Sequence, residues 1–316
     1  MTANQSLTDM RLTAIRFAAR DTNLYEFRRP DGASLPGIEP GAHIDIHLPN
    51  GMMRQYSLVT AEGDSSTYVV GIKRDRASRG GSRYVHEYLG VAEILKIGGP
   101  RNHFPLKEDA AHSVLIAGGI GITPIWSMAQ RLHKLGRSFE LHYACRTRDE
   151  GVFLQDLQAL PQAKVHVDAE AGGFLDVAPI IANAPTGSHF YCCGPLPMLA
   201  GFESATKDLP AGQVHVEYFT AREEAATEGG YVVELRKSGL EFAIPEGRTI
   251  LQVLRDAGVD TPYSCEEGVC GACEIQVVSG EVDHRDNILT ETERKASKTI
   301  MICCSGSKSA RLVLDL

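Results

Sequence analysis

Cys265-Glu266-Glu267-Gly268-Val269-Cys270-Gly271-Ala272-Cys273, answered by Cys303, carries the spacing C-x4-C-x2-C-x29-C. Four thiolates at this spacing hold a two-iron cluster in the manner of plant-type ferredoxins. Cys265, Cys270, Cys273 and Cys303 are therefore the metal-ligand candidates. Gly268, Gly271 and Ala272 keep the loop small enough for its backbone N–H groups to approach inorganic sulfide without side-chain clash. A zinc site usually pairs two C-x2-C knuckles rather than one. The remaining cysteines, Cys145, Cys192, Cys193 and Cys304, form no evident disulfide framework. One-electron chemistry is thus placed at the C-terminal end of the chain.

Working outward, Thr290-Glu291-Thr292-Glu293 has the spacing of a capping box and predicts a short helix, and Arg311 to Leu316 reads as a closing strand. The cluster domain spans 231–316. Before it, 223–230 holds Glu223, Glu224, Glu228 and Gly229-Gly230 with little to bury, the composition of a linker. Upstream, the apolar run His112 to Ala117 enters Gly118-Gly119-Ile120-Gly121-Ile122-Thr123-Pro124, and Ile125 to Leu135 follows with helical spacing. Further strands are expected at Phe139 to Ala144, Val165 to Val167, His189 to Cys193 and Val214 to Tyr218. That alternation predicts a parallel α/β sheet over 108–222. Residues 1–107 differ. Ile44, Ile46 and Leu48 alternate with Asp45 and His47 before the turn Pro49-Asn50-Gly51, a pattern of short strands that predicts a small antiparallel β-barrel.

A length of 316 residues suits several domains, each with its own core. The formal charge of -8 offers no basic stripe for nucleic acid. Met1 to Leu12 is polar, and the longest apolar stretch, Ser113 to Met128, is broken by Gly118, Gly119, Gly121, Thr123 and Pro124. A soluble, cytoplasmic protein with no membrane segment is expected.

Two segments suit a dinucleotide. Gly118, Gly119 and Gly121 let backbone amides approach a pyrophosphate, with Pro124 in the first helical turn, although the final glycine of the usual fingerprint is missing and an ordinary tight turn would read the same. Cys193-Gly194-Pro195 ends a strand, where α/β sheets bind ligands. Asp168, at the end of the Val165 strand, is a candidate for an adenosine ribose, or a plain surface aspartate. In the barrel, Arg54-Gln55-Tyr56-Ser57 puts Arg54 and Tyr56 on one strand face. Gly80-Gly81-Ser82 precedes a helix expected from Arg83 to Leu89 and suits one phosphate, or simply a capped helix start.

Together and in this order, these segments resemble the phthalate dioxygenase reductase family, which includes the reductase subunits of vanillate demethylases. The resemblance spans nearly the whole chain. It implies a multidomain fold: an antiparallel β-barrel flavin domain, an α/β parallel-sheet nicotinamide domain and a C-terminal α+β β-grasp ferredoxin domain. It also implies FMN, a [2Fe-2S] cluster and NADH as cofactors. By motif, Arg54, Tyr56 and Ser57 look like the flavin-binding segment, with Ser57 near flavin N5 and Tyr56 on the ring. Ile72 and Lys73 resemble the next flavin-contacting strand, and Gly80, Gly81 and Ser82 the FMN phosphate loop. Thr123 falls where flavin and nicotinamide meet, Cys193, Gly194 and Pro195 on the nicotinamide side, and Phe219 where an aromatic covers the flavin. Ser57, Thr123 and Cys193 are the candidate catalytic residues. One departure stands out: Cys304 follows the fourth ligand where the family commonly has an apolar residue.

The activity implied is an NADH-dependent reductase that sends electrons through FMN and the cluster to a separate terminal oxygenase of Rieske type, working as a monomer. Nicotinamide gives two electrons together and the cluster takes one, so a flavin between them is required. No Rieske C-x-H motif and no evident 2-His-1-carboxylate set is present, so oxygen chemistry belongs to another polypeptide. Rival readings are a reductase for a cytochrome P450 or a free ferredoxin, and a redox-sensing regulatory subunit.

Overall fold

The computed structural model describes residues 7–60, 66–75 and 80–316. Residues 1–6 of the polar N-terminal stretch lie outside the described residues. The chain divides into two compact units, Met1–Glu217 and Tyr218–Leu316.

The first unit opens with β1 (Leu7–Ala19), β2 (Thr22–Arg28), β3 (His43–His47), β4 (Met53–Ser57), β5 (Thr67–Lys73), α1 (Gly81–Tyr88) and β6 (Ile94–Arg101). The strands form one sheet in the order β4-β3-β6-β1-β2-β5, and every pairing in it is antiparallel. An antiparallel bridge between Leu58 and Val70 joins the two edges and closes the barrel. Ile44, Ile46 and Leu48 enter its core as their alternation requires. Asp45 departs from that pattern because it too is buried, where two bonds from Arg101 (2.7 and 2.6 Å) and one from the Gln55 amide (2.8 Å) offset its desolvation. At the β3–β4 turn the Asn50 side chain accepts from the Met52 N–H at 3.1 Å, the local bond that makes asparagine a turn former.

The unit continues with β7 (Ser113–Gly118), α2 (Ile122–Lys134), β8 (Phe139–Cys145), α3 (Leu154–Ala159), β9 (Ala163–Val167), α4 (Asp168–Ala171), α5 (Ala178–Ala182), β10 (His189–Cys193), α6 (Leu196–Thr206) and β11 (Val214–Glu217). These five strands are parallel, in the order β11-β10-β7-β8-β9. The chain moves outward from β7 to β9 and then returns to the other side of β7. The strand order therefore reverses between β7 and β10, the switch point beyond whose carboxyl ends open α/β sheets bind ligands. The barrel and this sheet each have a core, yet Ala19 and Phe104 of the barrel half pack into the sheet's cluster. Polar bonds join the halves as well, from the Gly41 N–H to Ser127 Oγ (3.2 Å) and from Gln130 Nε2 to the Val59 carbonyl (2.8 Å).

The second unit holds β12 (Tyr231–Leu235), β13 (Leu240–Ile244), α7 (Ile250–Asp256), β14 (Glu274–Ser279), β15 (Val282–Asp283), α8 (Glu291–Ala296), β16 (Thr299–Met301), β17 (Gly306–Ser307) and β18 (Arg311–Leu314). The order β13-β12-β18-β14-β16, with β12 and β18 parallel, wraps around α7, whose Ile250, Leu251 and Leu254 fill the core. This is a β-grasp. The capping box at Thr290 and Glu293 forms as its spacing requires.

Residues 223–230, expected to be a linker, make backbone bonds to the rest of the second unit. Ala226 is buried and its N–H donates to the Cys304 carbonyl at 2.7 Å, Gly247 N–H bonds the Thr227 carbonyl at 2.8 Å, and Gly230 N–H bonds the Ile244 carbonyl at 2.9 Å. Backbone pairing ties this acidic segment to the β-grasp body, which its side-chain composition does not reveal. Among the described residues, no helix is long and apolar enough to cross a membrane.

Candidate functional site

The two sequence segments read as nucleotide-binding meet at the switch point. β7 ends at Gly118 and turns through Gly119–Gly121 into α2, while β10 ends at Cys193 beside it. A side chain on Gly121 would collide with the Cys193 carbonyl, and one on Gly118 would stand 2.6 Å from Pro195 Cδ. The absence of side chains is what lets the Gly118 turn and the Cys193-Gly194-Pro195 edge lie against each other. Cys193 is fully buried, and burial first, with the nearby Glu217 second, pushes its thiol well up. Burial thus favours its protonated thiol, the weakly nucleophilic form.

Thr123 joins this switch point to the barrel. Its methyl lies 2.8 Å from where a Cβ on Gly71 would stand, next to Ile72 and Lys73 on β5, while its hydroxyl donates to the Ile120 carbonyl at 3.0 Å. Ile72 is buried in the barrel core, so only its backbone is available to a ligand, and that carbonyl already meets His86 Nε2 at 2.9 Å. Lys73 Nζ reaches Glu150 of the nucleotide half at 3.3 Å.

On β4, Ser57 is buried, and the Tyr56 phenol packs on the barrel core, its pKa pushed up by burial. Arg54 lies against the Gly80-Gly81 turn: a Cβ on Gly81 would sit 2.5 Å from its Nε. α1 starts at Gly81, earlier than the expected Arg83, with Gly80 at its N-cap. Its first amides, beside a guanidinium and with no acidic residue in the first turn, suit a phosphate. Ser82 Oγ accepts from the Asp75 N–H at 3.2 Å.

Asp168 begins α4 beyond β9. Its Oδ1 is buried with no hydrogen-bond partner, 3.4 Å from His166 Nε2. Arg148 donates to both carboxylate oxygens of Glu170 at 2.6 and 2.8 Å.

In the second unit Cys265, Cys270, Cys273 and Cys303 are all buried, and the Cys303 thiol lies within hydrogen-bonding reach of Cys265 and Cys273. Amides point at the sulfurs, from Glu267 to Cys265 (3.3 Å) and from Ala272 to Cys270 (3.4 Å). The Cys265 thiol is pulled far below its ordinary value by Cys270 and Cys303 and then by the Glu267 and Val269 amides. Residues 302–304 form a turn, with Cys304 and Ser305 N–H groups on the Met301 carbonyl (3.2 and 3.0 Å), so the pair Cys303-Cys304 is not an extended segment. Phe219 stands at the start of this unit, partly exposed.

Comparison with known proteins agrees with this layout. Residues 233–307 match the 2Fe-2S iron-sulfur cluster binding domain, and 115–204 the oxidoreductase NAD-binding domain. The chain is 50% identical over 324 residues, 100% of both, to tetrachlorobenzoquinone reductase of Sphingobium chlorophenolicum. It is 48% identical over 316 residues, 99% of both, to phenoxybenzoate dioxygenase subunit beta of Ectopseudomonas oleovorans. The solved structure of phthalate dioxygenase reductase, described as modular for electron transfer from pyridine nucleotides to [2Fe-2S], matches with a TM-score of 0.76 and 38% identity over 98% of each chain. The chain belongs to the phthalate dioxygenase reductase family. This reductase is an NADH-dependent flavin and iron–sulfur oxidoreductase, and its cofactors are FMN, a [2Fe-2S] cluster and NADH. FMN, when bound, takes up the nicotinamide electrons as a pair and releases them singly. The residues present fit the groups: a glycine-led helix start beside Arg54 for a phosphate, an orphaned buried Asp168 oxygen for a hydroxyl, and converging thiols with amides aimed at them for the cluster.

Glu217 escaped the sequence reading of this reductase. It ends β11 in register with Cys193 and is partly buried, with its Oε2 enclosed and unpartnered, and its pKa is pushed up to about 8 by desolvation. A strand-ending glutamate reads from sequence as a solvated terminus. Only the β10–β11 register brings it beside Cys193.

Proposed function

We propose that this reductase delivers its electrons to a separate terminal oxygenase of Rieske type, and does so as a cytoplasmic monomer built from the modules 1–107, 108–222 and 231–316. In this reading Arg54 and the Gly80-Gly81-Ser82 turn bind the FMN phosphate. Tyr56 and Ser57 line the ring, with Ile72 and Lys73 beside it. Gly118, Gly119 and Gly121 receive the NADH pyrophosphate, Asp168 its ribose, and Thr123 and Cys193-Gly194-Pro195 orient the nicotinamide. Cys265, Cys270, Cys273 and Cys303 hold the iron.

The observation that carries this reading is the abutment of Thr123 on Gly71, which brings the nicotinamide turn and the flavin strand into van der Waals contact. Hydride transfer requires the two rings to stack, and that contact puts their binding segments side by side. The neutral Cys193 thiol and the committed Thr123 hydroxyl are suited to orientation, not to acid–base work. The name of the phenoxybenzoate dioxygenase relative supports an oxygenase partner, whereas that of the tetrachlorobenzoquinone relative favours a second reading, in which a small quinone takes the electrons directly.

Co-purification from the native host, followed by anaerobic NADH addition, separates the two. The first reading expects an associated Rieske protein whose cluster is reduced only when this chain is present. Rapid quinone reduction by a Cys303→Ser variant lacking iron, with no oxygenase recovered, would favour the second.

A further inference from the structure

Between the two parts of the iron-ligand set runs the segment 282–289. Val282 and Asp283 pair with Ser307 and Gly306, and the Arg285 N–H donates to Ser305 Oγ at 3.0 Å, which fixes the segment to the turn carrying Cys303. At its other end the Asn287 N–H donates to the Gly268 carbonyl at 2.8 Å, inside the loop between Cys265 and Cys270. Gly268 has φ 71, and a Cβ there would collide with Cys304 Sγ and stand 3.0 Å from Asp286 Cα. The three-cysteine loop is therefore seated between the Cys304 thiol and the Asp286 backbone with no room to spare.

Asp286 organises this seat. Its side chain is wholly buried, and Oδ2 accepts from the Ile288 and Leu289 amides at 3.1 and 2.8 Å. Its other oxygen has no hydrogen-bond partner and lies 3.6 Å from His284 Nδ1. The Arg294 guanidinium of α8 bonds the Asp286 carbonyl. A carboxylate so enclosed is costly unless its bonds fix something. What these bonds fix is the turn that aims the Asn287 amide at Gly268.

We propose that Asp286 is a positioning residue for the iron–sulfur cluster, clamping the Cys265–Cys273 loop to the Cys303 turn through Asn287 and Gly268. It acts through the backbone bonds of Ile288, Leu289 and Asn287. The proposal rests on the ligand assignment given above. Because cluster potential depends on the hydrogen bonds and solvent exposure around the sulfurs, a loop that loses this clamp has a displaced potential.

The test is an EPR-monitored redox titration of the full-length holoprotein with iron analysis, for Asp286→Asn and Asp286→Ala. Asparagine keeps the oxygen that accepts from residues 288 and 289, so iron content, midpoint and reduced-state signal stay native. Alanine removes it, and the ratio of oxidised to reduced cluster at the native midpoint changes about tenfold, which is about 59 mV for one electron. The reduced-state signal changes shape with it. If the alanine variant fails to take up iron, a native signal in the asparagine variant carries the claim. An alanine variant indistinguishable from native, or an asparagine variant displaced as far as alanine, overturns it, the latter because charge and not bonding would then be responsible. The ligand assignment fails on a different result, survival of the native signal in Cys303→Ser.

Discussion

Cys303 and Cys304 present two adjacent buried thiols, and the turn at 302–304 allows both to lie near the ligand loop. Cys303 borders Cys265 and Cys273, while Cys304 presses on Gly268 and meets the Met301 carbonyl at 3.7 Å. Cys303→Ser should therefore lose the iron and its EPR signal while NADH still reduces the flavin, and Cys304→Ser should keep the cluster. The reverse pattern would shift the ligand register by one residue. Glu217 offers a second test at this scale. A carboxyl whose folded pKa rises from 4.5 to about 8 holds its proton longer in the folded state, so stability falls as pH rises through that window, by up to about 1.4 kcal/mol per unit, and the full cost is present above pH 8. Glu217→Gln should raise the melting temperature at pH 8.5 and leave it unchanged at pH 4.5. An equal shift at both pH values would show that the carboxyl is not the buried acid inferred here. The cysteines were legible in sequence because ligand spacing is local. Glu217 was not, because its burial is created by neighbours distant along the chain.

At the scale of elements, the site is made by two close approaches, and they differ in what must yield. A Cβ on Gly81 meets the flexible Arg54 side chain, whereas a Cβ on Gly121 meets the Cys193 backbone carbonyl, which cannot swing away. Overpacking against a movable side chain costs about 1–3 kcal/mol. Gly81→Ala is thus expected to weaken FMN retention roughly tenfold, the low end of that cost, with iron content unchanged. Gly121→Ala should damage NADH binding or folding more severely. Equal, negligible effects of both on flavin fluorescence and NADH titrations would contradict the packing argument. The strand–turn–helix at Gly118 was readable from an apolar run followed by glycines. That its partner edge is Cys193-Gly194-Pro195 followed from the rule that parallel sheets bind at strand ends. The abutment of Thr123 on Gly71 was not readable, since it depends on how barrel and sheet pack. The same holds for 223–230, whose acidic side chains concealed backbone bonds to the β-grasp body.

For the whole molecule, charge and cofactor number are the testable quantities. The chain carries -8, and Glu266, Glu267 and Glu274 flank the cluster ligands, with Glu266 shared by Arg255 at 3.4 Å. Electrostatic steering acts over about 8–10 Å at moderate ionic strength. Electron delivery to a basic acceptor surface should accordingly slow as salt rises, measured by stopped-flow with the oxygenase, and a rate independent of salt would make this rim a solvated bystander. The order of the three modules was evident in the sequence, the barrel and the α/β sheet from their periodicities and the cluster domain from its cysteine spacing. The β-grasp architecture of the cluster domain came from the family resemblance, and the family match covers nearly the full length. The central claim is that one chain converts an electron pair into single electrons with one flavin and one cluster. An anaerobic dithionite titration of the purified holoprotein, followed by visible absorption and EPR, tests it most directly. Full reduction should take three electrons per chain, two for FMN and one for [2Fe-2S]. An end point at two or at four electrons would contradict the account.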